Sequence, residues 1–150
     1  MAGIYLHIPF CKRRCIYCDF FSTTENEKKE AYIQTLVKEL KLRKDYLSGE
    51  TIDTIYLGGG TPSQLEEKDF AQLFDYIYKV YPVNPEAEIT LEANPDDLTP
   101  AYVNMLRSLP FNPPPVASPA YSRPSPTSIP ALPGSWISEH QHRLDVRTTR

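Results

Sequence analysis

Three cysteines, Cys11, Cys15 and Cys18, fall within the eight residues CKRRCIYC, and the 150-residue chain has no other. Three thiols in a tight cluster cannot all pair with one another, and within an intracellular chain such clustering points to metal rather than to disulfides. Two metal readings follow from the spacing. Zinc is open if His7, four residues before Cys11, supplies a fourth ligand, since a closed zinc site takes four. A histidine inside an apolar run is, however, more often a packed or hydrogen-bonded core residue. An iron–sulfur cluster is the other reading: cluster irons are normally held by thiolates, so three of them leave one iron open to a further ligand.

The elements that must position these thiols can be read from the runs around them. GIYLHIP (3–9) is a short strand-like run ended by proline, and the cysteines follow at once. A helical pattern then places Ile33, Leu36, Val37, Leu40 and Leu47 on one face, with Lys and Glu on the other. DTIYLGGG (53–60) reads as a second strand running into glycines. Ser63 with Glu66 three residues on has the spacing of a capping box, and Phe70, Leu73, Phe74, Ile77 and Tyr81 continue at helical spacing. EITLEANP (88–95) alternates as a third strand, after which Thr99 as N-cap and Pro100 at the first helical position open a helix carrying Tyr102, Val103, Leu106 and Leu109.

Strand, loop and helix repeated in this order predict an α/β fold with parallel strands joined by crossovers. In that architecture the loops after the strands gather on one face, where sites collect. The cysteine loop, GGGTP after the second strand and EANP after the third are therefore expected on a common rim. GGGTP has no following Lys-Ser/Thr and is not a P-loop, nor does it match G-x-G-x-x-G. It reads either as a tight turn or as backbone left bare for close approach of a ligand, with free N–H groups for a carboxylate. Glu92 at the end of a strand reads either as a solvated acid or as an acceptor for ribose hydroxyls.

The rest of the chain differs in kind. Of 15 prolines, 7 lie in residues 1–112 and 8 in the last 38, while every lysine precedes Asn112. Residues 1–112 are read as the folded core and 113–150 as a Pro/Ser-rich tail without a strand, a helical period or a second domain, and hence disordered. The irregular prolines make a poor polyproline ligand, and the two histidines of HQH lack companion ligands. The formal charge of −3 gives no basic footprint for nucleic acid. With no apolar run of bilayer length and no signal-peptide pattern at the start, a cytoplasmic chain is expected.

CKRRCIYC resembles the C-x3-C-x-aromatic-C signature of radical S-adenosylmethionine enzymes. YLHIPFC, YLGGGTPS and LEANPDDLT resemble, in order and spacing, the oxygen-independent coproporphyrinogen III oxidase family, over residues 1 to about 112. The match is nearer the haem chaperone branch, because the oxidase proper is expected to carry a further cysteine where this chain has Phe20. The resemblance implies the N-terminal half of a partial (βα)6 TIM-like barrel, with three βα units. It implies that Cys11, Cys15 and Cys18 hold a [4Fe-4S] cluster whose open iron chelates S-adenosylmethionine. Tyr17 would lie by the adenine, Gly59, Gly60 and Thr61 along the methionine and ribose end, Tyr5 near the cofactor, and Glu92 on the ribose; no catalytic residue is assigned. One-electron reduction of the sulfonium would then release a 5′-deoxyadenosyl radical. The implied partners are haem or a porphyrinogen, an electron donor protein and, for a chaperone, respiratory proteins that accept haem. The alternatives are oxidative decarboxylation of porphyrinogen propionates, and an inactive truncated fragment. A coding sequence for SEHQHRLDVRTTR read one base out of frame resembles a strand-and-turn found later in the same family, so the tail is expected to be family sequence read out of frame. A chain of three βα units is expected to leave the third strand with an unpaired edge and to bind a cluster poorly.

Overall fold

The computed structural model describes residues 2–13 and 20–112, and the backbone of 142–146. β1 (Ala2–Ile8) leads to α1 (Lys29–Leu42), β2 (Ile52–Gly59) to α2 (Glu67–Val80), and β3 (Val83–Leu91) to α3 (Pro100–Arg107). Short 3-10 turns at Asn26–Lys28, Pro62–Gln64 and Pro95–Asp97 precede the helices. β1 pairs with β2 and β2 with β3, all parallel, with Tyr5 opposite Tyr56 and Tyr56 opposite Thr90. The fold is the expected α/β half-barrel of parallel strands alternating with helices.

Alternation along the strands sorts the side chains. Ile4, Leu6 and Ile8 from β1, Ile55 and Leu57 from β2, and Ile89 and Leu91 from β3 share one buried cluster with Ile33, Leu36 and Leu40 of α1 and Phe70, Leu73 and Ile77 of α2. Each such fully buried side chain contributes about 1.5–3 kcal/mol of burial free energy. Tyr5, His7, Tyr56, Gly58 and Thr90 occupy the intervening positions, on the opposite face. The sequence pattern of α1 overran its end: the helix stops at Leu42, and Leu47 joins the core from the following turn.

Three differences from expectation have physical causes. The capping box of α2 is Glu66 with Asp69, not Ser63 with Glu66, because Pro62 and Ser63 form a separate 3-10 turn and the helix begins only after it. β3 begins at Val83 rather than Glu88, so it includes Pro85; the proline is tolerated because it falls between Val83 and Glu88, where the register with β2 shifts and Pro85 has no ladder partner.

The third difference lies in the tail. The backbone of His142–Val146 forms β4, parallel to β1 from Ala2↔His142 to Leu6↔Val146, giving the sheet order β3-β2-β1-β4. The tail therefore does hold a strand, contrary to the reading that it has none. HRLDV is short and alternates only Leu144 and Val146 with charged residues, a pattern too brief to separate from loop, and the vacant edge of β1 supplies what the pattern does not. Along the outer edge of β3, among the described residues, Asn112 alone forms a bridge, exchanging backbone hydrogen bonds with Ile89.

Candidate functional site

The three strand-to-helix loops converge at the C-terminal ends of β1, β2 and β3. After β1 the chain is pinned by Cys11 N–H donating to Thr23 O (2.9 Å) and Thr23 N–H donating to Pro9 O (2.8 Å). After β2, Gly60 N–H donates to Ile8 O and Thr61 N–H to Phe10 O, both at 2.8 Å. The Thr61 hydroxyl in turn donates to Cys11 Sγ at 3.4 Å. Cys11, half-buried, therefore stands against the glycine loop of the next unit, 50 residues further along the chain.

The glycines serve the chain itself. Gly59 has φ +114°, and a Cβ there would lie 2.5 Å from the His7 ring; a Cβ on Gly60 would lie 2.6 Å from the Pro9 carbonyl carbon. Both positions are bare so that β2 and its loop can close on the end of β1. Nor are the loop's N–H groups free as expected: that of Gly60 meets the Ile8 carbonyl at the end of β1, that of Thr61 the Phe10 carbonyl just beyond it, and that of Gly59 meets Glu92.

Glu92 closes the rim from β3. Its Oε2 accepts from Gly59 N–H at 3.1 Å and its Oε1 accepts from the Tyr56 hydroxyl. Its own N–H donates to Leu57 O at 3.0 Å. A carboxylate accepts at about four lone-pair positions, so an acid held by two donors retains acceptor capacity for hydroxyls of a ligand. Tyr56 stacks on Tyr5, ring centroids 5.9 Å apart and planes at 19°. The Tyr5 hydroxyl is 3.1 Å from His7 Nδ1, and His7 Nε2 is 2.9 Å from Phe21 O. A carbonyl only accepts, so the proton of His7 sits on Nε2 and Nδ1 accepts from Tyr5. His7 is thus a satisfied, nearly buried histidine tying the segment after the cysteines to β1, and a ligand role would cost it one of these bonds.

Cys15, Cys18 and Tyr17 lie outside the described residues, and among the described residues no group of His, Cys, Asp or Glu forms a metal-binding constellation. What is described of the donor set fits a thiolate-held cluster: Cys11 is on the rim, and its sulfur is presented as an acceptor to Thr61. Hydrogen bonds to ligand sulfurs are among the features that set a cluster's potential. Of the expected contacts the structure brings together Tyr5, Gly59, Gly60, Thr61, Glu92 and Cys11. Tyr56, which anchors Glu92, and the acid Asp97 were not singled out from the sequence. Tyr56 had a signal in its place opposite Tyr5, whereas Asp97 looks like any acid in a turn.

Parallel βα units with a cysteine-bearing rim at the strand C-termini define a half-barrel of the kind that binds cofactors at the ends of its strands. Residues 5–116 match the radical SAM superfamily, and the chain belongs to that superfamily. It is 37% identical over 110 residues to the haem chaperone HemW of Mycobacterium tuberculosis, covering 71% of this chain and 28% of that protein. Against HemW of Escherichia coli K12 it is 39% identical over 95 residues, covering 62% and 25%. An anaerobilin synthase of Escherichia coli O157:H7 is 37% identical over 92 residues, covering 59% and 21%. Among solved structures, the radical SAM enzyme coproporphyrinogen III oxidase (HemN) from Escherichia coli matches with TM-score 0.68 and 28% identity, over 74% of this chain and 26% of that one. The chain spans about a quarter of the length of these proteins. No helix among the described residues is long and apolar enough to cross a membrane.

Proposed function

We propose that this chain carries the N-terminal part of a radical SAM protein of the haem chaperone type, which binds haem and passes it to acceptor proteins. The observation that carries this reading is the meeting of Cys11, Thr61, Gly59 and Glu92 on one rim in a chain 37% identical to haem chaperones across that region. Cys11, Cys15 and Cys18 would hold a [4Fe-4S] cluster, and Tyr5, Tyr17, Gly59, Gly60, Thr61 and Glu92 would contact S-adenosylmethionine. When bound, the cluster and S-adenosylmethionine supply one-electron chemistry. The chain's own contribution is positional: Tyr56 and Gly59 aim Glu92, Thr61 donates to the Cys11 sulfur, and His7 holds Tyr5 and the Phe21 carbonyl in fixed relation. Residues 1–112 form the core in this reading, and 113–150 are a tail translated out of frame, of which His142–Val146 adds a strand to β1. Sequencing the gene across the Asn112 codon tests that last point.

The likeness to coproporphyrinogen III oxidase favours a second reading, oxidation of a porphyrinogen by the same site. Phe20, standing where the oxidase is expected to carry a further cysteine and largely exposed, weighs against it. Anaerobic incubation of the reconstituted chain with reductant, S-adenosylmethionine and either haem or coproporphyrinogen separates the two. Haem binding without a decarboxylated product is expected; a vinyl product would move the assignment to the oxidase.

A further inference from the structure

One carboxylate lies where all three loops meet. Asp97, only 8% exposed, accepts from the Lys12 ammonium on Oδ1, and from the Ser63 hydroxyl (2.7 Å) and the Gln64 side-chain amide (2.5 Å) on Oδ2. Ser63 Oγ accepts in addition from Asn94 N–H at 3.0 Å. The donors come from different units: Lys12 directly follows Cys11, while Ser63 and Gln64 form the turn after β2. Asp97 is not needed by its own turn, because Asn94 caps that turn by accepting from Asp96 N–H at 3.0 Å. Nor does Lys12 need a partner for solvation, since its side chain is 62% exposed. A long, hydrated side chain reaches across to a nearly buried acid contributed by a segment 85 residues away.

We propose that Asp97 is a positioning residue for the cysteine loop: by holding Lys12 it fixes the chain immediately after Cys11, and keeps the Cys11 sulfur against Thr61. The proposal deepens the reading in which the three cysteines hold a cluster, and rests on it. The sheet fixes the chain only as far as Ile8, and the Cys11 and Thr61 backbone bonds extend that order to residue 11. The Lys12–Asp97 pair carries the order one residue further and links it to the loops after β2 and β3. A charge-assisted bond is stronger than a neutral one, and three converging donors leave Asp97 little freedom to turn away.

Hydrogen exchange on the cluster-free full chain tests this with variants Lys12→Met and Asp97→Asn, and with Lys12→Arg as the conservative replacement. Exchange at the Cys11 and Thr61 amides, which are bonded to Thr23 O and Phe10 O, is expected to quicken by roughly three- to tenfold in the first two, the range for a charge-assisted pair with one exposed partner. Lys12→Arg is expected to restore the slow rate. In the anaerobically reconstituted chain, iron loss to a chelator should quicken by a similar factor in Lys12→Met and return in Lys12→Arg. Asp97→Asn keeps an acceptor for Ser63; should it nonetheless fail to fold, Lys12→Met alters only an exposed side chain and decides alone. Unchanged exchange and iron loss in Lys12→Met would overturn the proposal. A wild-type chain that takes up no cysteine-dependent iron would instead defeat the cluster reading, with exchange in the cluster-free chain still deciding whether Asp97 orders the loop.

Discussion

The two faces of the sheet are built from neighbouring residues of the same strands and do different things. On one, Ile4, Leu6, Ile8, Ile55, Leu57, Ile89 and Leu91 disappear beneath α1 and α2. On the other, Tyr5 stacks on Tyr56, His7 bonds to Tyr5 and to Phe21 O, and Tyr56 hands its hydroxyl to Glu92. The helix-covered face is held by burial, which is non-directional and summed over area. The opposite face is held by hydrogen bonds with direction, which fix where a few atoms sit and add little to stability. Substitutions on the two faces should therefore be separable by what they change.

The largest effect is expected from Leu6→Ala, a fully buried side chain of β1. It should cost about 2–5 kcal/mol in urea unfolding, whereas Tyr5→Phe next to it, losing one bond to His7, should cost no more than about 1.5 kcal/mol. Equal losses would erase the distinction between the faces. Gly59→Ala comes next, because it sets a Cβ against the His7 ring at a φ of +114°. About 1–3 kcal/mol of destabilisation is expected from the backbone strain, and a loss within the scatter of surface substitutions would show that the rim can relax around it.

Glu92→Gln should leave the unfolding midpoint nearly unchanged while weakening S-adenosylmethionine binding to the reconstituted chain by about tenfold, the worth of roughly 1.4 kcal/mol. A large loss of stability with unchanged binding would return Glu92 to the role of a structural acid. The smallest effect at neutral pH is on the covered side. Burial pushes the Tyr81 phenol up to about 12, with Tyr76 and Asp45 adding to the rise and Arg43 opposing it, and its hydroxyl donates to Leu40 O at 2.8 Å. The folded state thus prefers the neutral phenol: this stabilisation is complete below about pH 10 and is lost as pH climbs through about 12. Urea midpoints measured across that window should fall with pH, and Tyr81→Phe should flatten the fall.

Much of this was legible in the sequence, for reasons that also mark where legibility ends. GIYLHIP, DTIYLGGG and EITLEANP declare strands because the alternation is carried within each run, and Thr99 followed by Pro100 declares a helix start that the structure shows, Thr99 Oγ1 accepting from Tyr102 N–H at 3.2 Å. CKRRCIYC announces a candidate metal site in its spacing, and the family resemblance narrows that to an iron–sulfur cluster. What depends on partners distant in the chain does not show locally. Ser63 has the spacing of a cap yet is spent on Asn94 and Asp97, and β4 is a strand because β1 has an edge for it. Gly59 and Gly60 show the same limit from the other side: three glycines in a row announce close approach, but only the fold tells that His7 and Pro9 are what approaches.

The central claim, that the cysteine loop holds a cluster on this rim, is tested most directly by anaerobic reconstitution of the full chain with iron and sulfide beside the variant in which Cys11, Cys15 and Cys18 are all replaced by alanine. Iron and sulfide should bind in the ratio of a [4Fe-4S] cluster, below full occupancy but dependent on the cysteines, and the electron paramagnetic resonance of the reduced form should change when S-adenosylmethionine is added. Iron uptake equal in the two proteins, or a reduced spectrum indifferent to S-adenosylmethionine, would contradict the assignment.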